Sequence, residues 1–285
     1  MTAPAPPRPA PPPARQAPPP TRQAPPPATG NQPAKSFAIL SGRQDSAAQR
    51  IVLYGPGGIG KSTLASLAPG AVFLDIEDGT RDMDVPRVEG VESFADLRTC
   101  LQSDALNEAG TIVLDTATKA EEWAIEHTLT HIQNEKGAYP TSVEGYGYGK
   151  GFTHVYETFL LLLADLDKQV RAGRHVILLA HDCTADVPNP GGEDWIRYEP
   201  HLQAPKSGKA SIRNRVIQWA DHVLFLGYDV AVTKEGKGFG GGTRTIWPTE
   251  QPTQVAKSRR ISDAMFFTGP TDGAVWDLLL KGGQQ

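Results

Sequence analysis

The stretch Ile51 to Ala65, IVLYGPGGIGKSTLA, constrains this chain more than any other. An apolar run, Ile51-Val52-Leu53-Tyr54, leads into Gly55-Pro56-Gly57-Gly58-Ile59-Gly60-Lys61-Ser62-Thr63. The latter satisfies G-x-x-x-x-G-K-[ST] at every fixed position. Such a run demands a strand, a turn and a helix, in that order. Glycines let the backbone close round an anion without a Cβ in the way. A helix beginning at about Gly60 aims its unpaired N–H groups and positive dipole end at the same point. Lys61 adds a mobile charge for β- and γ-phosphates, and Ser62 offers a hydroxyl to a metal ion. Residues 55–63 are therefore the expected loop for a nucleoside triphosphate, read as ATP with Mg2+.

Composition separates the chain into two parts. The first 35 of its 285 residues hold 14 of the 25 prolines, four cations (Arg8, Arg15, Arg22, Lys35) and no acid. ARQAPPP at 14–20 returns almost unchanged as TRQAPPP at 21–27. Sequence of this kind has little apolar surface to bury and is expected to be a disordered, polyproline-like tail. Residues 36–285 suit one large α/β domain. The formal charge of −4 becomes about −8 without the tail's cations, which argues against a generally basic nucleic-acid coat. Two cysteines, Cys100 and Cys183, are too few for a disulfide framework or a zinc site. With no apolar leader and no long apolar run, the expectation is a cytoplasmic protein without a membrane span.

Apolar runs alternate with helical patterns along the domain. Strands are expected at 51–54, 71–75, 111–115, 175–180 and 222–226, with helices after the glycine loop, after Ser93, over 117–131 and over 152–171. Continuous apolar strands separated by helices imply a mostly parallel sheet covered on both faces. Residues 228–233 and 243–247, flanking a Gly-rich stretch at 234–242, read as a late antiparallel hairpin at the sheet edge. A further short strand is expected at 254–257. Residues 133–150 and 182–211 read as loops.

Several polar residues fall where such a sheet places ligands, beyond the carboxyl ends of its strands. Asp115 ends an apolar strand and is a candidate Mg2+ carboxylate. Its neighbour is Thr116, not an acid, so the candidate general base is Glu77 beyond the second strand, with Asp75 and Asp78 as competitors. His181 follows the fourth strand and is placed to sense a γ-phosphate. Lys257 and Arg259, two residues apart near the C-terminus, are candidate fingers for a neighbouring subunit's nucleotide. Lys206, Lys209, Arg213 and Arg215 form an acid-free basic stretch, and Tyr146, Tyr148 and Lys150 combine aromatic faces with charge. Both segments are candidate single-stranded-DNA contacts. His127 and His131 are one helical turn apart but have no third ligand in view.

The order of these parts resembles the RecA-like ATPase core: glycine loop, Asp75-Ile76-Glu77, Leu114-Asp115-Thr116, an aromatic loop, His181, a second loop and a late Lys-x-Arg. More closely it resembles phage-encoded RecA-like nucleotide-binding proteins that work with single-strand annealing and DNA-binding proteins in recombination. The resemblance spans about Ser36 to Phe267. It implies a RecA-like fold, Glu77 as base, Asp115 for magnesium, and His181 where RecA has glutamine. It also implies DNA-facing loops at 133–150 and 182–211, a ring or filament of identical subunits, a single-strand-binding or annealing protein as partner, and the host bacterial cytoplasm as the setting. A helicase-like ring motor or loader, and a nucleotide-dependent scaffold with little hydrolysis, remain alternatives.

Overall fold

Residues 47–206, 209–232 and 238–280 are described by the structure, a computed structural model. The Pro-rich segment 1–35 and positions 234–237 of the Gly-rich stretch lie outside the described residues. So do 207–208, within the basic stretch.

Nine strands occur among the described residues, seven of them in one sheet of order β2-β3-β4-β1-β7-β8-β9. These are β1 (Arg50–Tyr54), β2 (Ala71–Asp75), β3 (Thr111–Asp115), β4 (His175–Ala180), β7 (His222–Val232), β8 (Gly238–Trp247) and β9 (Met265–Phe266). The first five in spatial order run parallel, and β8 and β9 pair antiparallel at one edge. This is an α/β RecA-like fold. The strand carrying the glycine loop and the strand ending in Asp115 are not neighbours, because β4 lies between them. Registers Tyr54↔Ala180 and Asp115↔Leu179 bring the carboxyl ends of all three strands to one edge.

Successive side chains on these strands face opposite ways, and both faces are covered. Val52, Tyr54, Leu74, Ile112, Leu114, Val176 and Leu178 point into one core. It is closed by α2 (Phe94–Gln102), α3 (Ala117–His131), α4 (Lys150–Arg171) and α5 (Ile212–Trp219). Ile51, Leu53, Phe73, Val113, Ile177 and Leu179 point into the other, closed by α1 (Lys61–Ser66) and α6 (Ala274–Leu280). Six residues are too few for α1 to hold itself together in water. Its stability comes from packing: Leu64 and Ala65 are fully buried, and the buried Trp276 of α6 donates its indole N–H to the Leu64 carbonyl at 2.7 Å.

Local signals set the helix starts. Ser93 caps α2 by accepting from the Asp96 N–H at 3.1 Å, and Thr116 caps α3 by accepting from the Lys119 N–H at 3.1 Å. Asp165 of α4 is 1% exposed yet satisfied, taking bonds from Arg98, Gln102 and Lys168 at 2.8–2.9 Å. Burial pushes its carboxyl up, but those bonds outweigh the burial and hold it below the usual range.

Three expectations need correction. Residues 182–211 are not simply a loop: β5 (Asp182–Val187) and β6 (Trp195–Pro200) form a separate antiparallel hairpin. Its strands, DCTADV and WIRYEP, lack the clean apolar alternation that marks a half-buried strand. Strand β7 runs on past Leu226, so the late hairpin is its direct continuation. Residues 254–257 form no regular strand; Gln254 bridges Tyr198, and Lys257 bridges Val223.

Candidate nucleotide site

Two glycines shape the loop after β1 through contact distances. A Cβ on Gly55 would lie 2.1 Å from the Leu226 carbonyl oxygen of β7. Gly60, the N-cap of α1, has φ +107°, and a Cβ there would meet Arg244 Nη1 at 2.9 Å and Phe267 Cε1 at 3.0 Å. Arg244 belongs to the site although sequence patterning passes it over. Its guanidinium donates to the Ile59 carbonyl at 3.0 Å and lies 4.5 Å from the Phe267 ring centroid. It braces the outside of the loop, and Gly57 and Gly58 remain open.

Lys61 folds back along this loop, donating to the carbonyls of Gly55 (2.8 Å) and Pro56 (2.9 Å). Burial draws its ammonium below the ordinary lysine range, against the pull of Asp115. Ser62 donates its hydroxyl to Asp115 Oδ2 at 2.6 Å. Burial raises the Asp115 carboxyl, with Asp75 and Glu77 adding repulsion and the Ser62 bond opposing it. A hydroxyl and a desolvated carboxylate, with other acids close by, make an oxygen-donor set suited to a hard divalent cation. Ser62 and Asp115 would hold Mg2+ there, the phosphates completing its shell.

The structure separates Glu77 from its competitors. Asp75 closes a turn, accepting from Gly79 N–H at 3.0 Å, Thr80 N–H at 2.8 Å and the Thr80 hydroxyl at 2.5 Å. Burial pushes its carboxyl up, and these bonds more than offset that, leaving it low. Asp78 pairs with Arg81 at 2.6 Å. Glu77 instead faces the Asp115 edge, where Thr116 donates its hydroxyl to Oε1 at 2.5 Å and His181 Nε2 lies 3.3 Å from Oε2. Register explains the meeting: Asp75 pairs with Asp115, and the Ile76 N–H continues to the Asp115 carbonyl at 3.0 Å.

A family model described as an AAA domain matches residues 47–260, from just before β1 to just past Arg259. The chain belongs to this AAA domain family. It is thus a P-loop ATPase domain, for which the family implies ATP, typically with Mg2+. Among solved structures, a KaiC-like protein, PH0186, from the hyperthermophilic archaeon Pyrococcus horikoshii OT3 is similar at 16% identity. The match has a TM-score of 0.39 and covers 78% of this chain and 87% of that one. No curated protein matches.

Elsewhere in this AAA domain the expected residues separate. Lys257 and Arg259 lie toward the amino ends of the parallel strands, away from the glycine loop, since Lys257 bridges Val223 near the start of β7. Lys257 Nζ is 3.5 Å from the Gln218 carbonyl, and the exposed Arg259 pairs with Asp221 at 3.2 Å. Neither can reach its own nucleotide.

Two proposed DNA contacts are corrected by burial. Tyr146 is 6% exposed, its hydroxyl 2.7 Å from the Ile132 carbonyl and 2.9 Å from that of Thr128, so its ring is packing. Arg213 is held inside, donating to Glu199 at 2.7 Å and contacting Cys183 Sγ at 3.2 Å. Tyr148 is fully exposed, Lys150 pairs with Glu135, and Lys206, Lys209 and Arg215 are exposed. The hairpin beyond His181 adds apolar surface, two aromatic residues and one aliphatic: Trp195, Tyr198 and Ile196 are 37%, 41% and 63% exposed. No helix among the described residues is long and apolar enough to cross a membrane.

Proposed function

We propose that this domain hydrolyses ATP in response to single-stranded DNA and assists DNA recombination or annealing of the phage type. The observation that carries the reading is the 3.3 Å approach of His181 to Glu77. One residue later the chain enters a hairpin that shows three large apolar side chains to solvent. A residue able to feel the γ-phosphate is thereby continuous with a surface able to stack on unpaired bases. Lys61, Ser62 and Asp115 hold the magnesium–triphosphate, Glu77 orients the attacking water, and His181 reports the phosphate. Lys257 and Arg259, remote from their own site, complete a neighbour's in a head-to-tail ring or filament.

Turnover of ATP with and without oligo-dT, across a salt series, tests this. DNA should raise turnover severalfold, and the effect should weaken with salt because phosphate contacts release counterions. Unchanged turnover at every salt concentration would reject the DNA role.

One feature favours a second reading, a nucleotide-dependent scaffold with little hydrolysis. Both Glu77 oxygens are engaged, one by Thr116 and one by His181. A base so held is idle until a partner rearranges it. If purified protein binds ATP but releases no phosphate even with DNA, the scaffold reading gains.

A further inference from the structure

We propose that Thr118 is the positioning residue that joins the nucleotide site to the β5–β6 hairpin. The inference rests on the sensing role given above to His181. Thr118 sits in the first turn of α3, two residues beyond the Thr116 that grips Glu77. Its hydroxyl accepts from the His181 backbone N–H at 3.2 Å and donates to the His201 carbonyl at 3.2 Å. Those two residues bracket the hairpin: His181 precedes Asp182, and His201 follows Pro200. They are also joined directly, His201 N–H to His181 carbonyl at 2.8 Å. One hydroxyl therefore ties together both ends of the hairpin and the start of the helix that follows Asp115.

The next turn of α3 reinforces the joint. Glu121 accepts from the Gln203 backbone N–H at 2.7 Å, so the exit of the hairpin is fastened to the same helix face twice. Strand β6 is fastened separately, through Tyr198 N–H to the Thr253 carbonyl at 2.8 Å and Tyr198 stacked on Phe225 at 5.2 Å. A shift of Glu77 or His181 on binding triphosphate thus meets a hairpin pinned along one strand and held at its base by α3. Without the Thr118 hydroxyl, the His181 and His201 backbones keep their direct hydrogen bond but lose the anchor they share on the first turn of α3. Valine keeps the shape and β-branching but offers neither donor nor acceptor, whereas serine keeps both.

The test compares wild type, Thr118→Val and Thr118→Ser by backbone hydrogen–deuterium exchange, with and without Mg2+ and ATPγS. Wild type should show a nucleotide-dependent change in exchange over 182–200. Thr118→Val should bind ATPγS within about twofold of wild type yet lose roughly fivefold of that change, and Thr118→Ser should recover it. Two results overturn the proposal: a hairpin in wild type that ignores ATPγS, or a full response in Thr118→Val. Oligo-dT stimulation is measured on the same samples. A hairpin that responds to nucleotide while DNA leaves turnover unchanged would reject the DNA reading and leave the joint standing.

Discussion

The Ser62 hydroxyl lies 2.6 Å from the buried Asp115 carboxylate; Ser62 sits in the first turn of α1, the helix that follows β1, and Asp115 ends β3, a strand separated from β1 by β4. With burial as the leading cause, the Asp115 carboxyl is raised. A raised carboxyl binds its proton more tightly folded than unfolded. Its contribution to stability is therefore greatest at low pH and is lost as pH rises through the folded value. Asp115→Asn removes that penalty and keeps an acceptor for Ser62. We expect the nucleotide-free protein to melt a few degrees higher at neutral pH, about 2–4 °C per kcal/mol for a domain of this size. Mg2+-dependent ATP affinity should fall at the same time. Calorimetric melting and titration with ATP, with and without Mg2+, check the two together.

Glu77 has no comparable role in the fold, since its partners Thr116 and His181 are themselves in the site. Glu77→Gln should leave melting and ATP affinity near wild type. Turnover should drop by roughly 100-fold to 10,000-fold, the usual range for loss of a positioned general base. Phosphate release beside equilibrium binding is the measurement. Unchanged turnover would move the base elsewhere.

The glycine loop is constrained in two different ways. At Gly60 the conformation itself is unfavourable for other residues, and the nearby atoms belong to the side chains of Arg244 and Phe267. Gly60→Ala should cost of order 1–3 kcal/mol and weaken ATP binding as the loop shifts. At Gly55 the obstacle is the Leu226 backbone of a central strand, which cannot turn aside. Gly55→Ala should be the more damaging of the two in denaturant unfolding; truncating Arg244 should ease the Gly60 substitution in part, since the backbone strain and the Phe267 contact remain, and the Gly55 substitution not at all.

Those contrasts show what could be read before the fold was known. The loop, the five parallel strands and the strand-end acids are encoded locally, by continuous apolar runs and a fixed glycine spacing. Ser93 as a helix cap is equally local. Arg244 escapes such reading because it meets Ile59 from 185 residues away, on β8, a strand without a motif. The β5–β6 hairpin escapes because its burial comes from contacts to Gln254 and Phe225, not from its own periodicity. Tyr146 misleads for a related reason: tyrosine among glycines suits a mobile platform, but the carbonyls of Thr128 and Ile132, at the C-terminal end of α3, draw it inside.

At the opposite end of the sheet His222 is fully buried, with Ser258 at 2.8 Å and Gln49 at 3.1 Å from its ring nitrogens. Burial lowers its pKa to about 4, Asp221 opposing and the nearby Arg260, Arg259 and Lys257 assisting. A base with a depressed folded pKa contributes stability that is present above its unfolded value and lost as pH falls toward the folded one. Between pH 6.5 and about 4 this one group should cost roughly 3 kcal/mol. His222→Gln should flatten that part of the stability curve. Denaturant midpoints at successive pH values give the slope directly.

Lys257 and Arg259 lie close to this acid-sensitive histidine and far from their own triphosphate loop. If they act, they act on another copy. A double variant, Lys257→Ala with Arg259→Ala, should lose turnover while keeping ATP affinity. Asp221 is mostly buried and keeps its bond from the Arg50 N–H, and Arg259 is exposed, so loss of the Arg259–Asp221 pair should change stability by no more than about 1 kcal/mol. Glu77→Gln subunits should be inactive as well, but for the opposite reason: their fingers are intact and their base is not. Mixing the two inactive proteins places intact fingers against an intact base at some interfaces. Turnover should reappear on mixing and pass through a maximum as the ratio is varied. A mixture that stays silent at every ratio, with assembly confirmed by light scattering, would show that these two cations do not serve a neighbouring site.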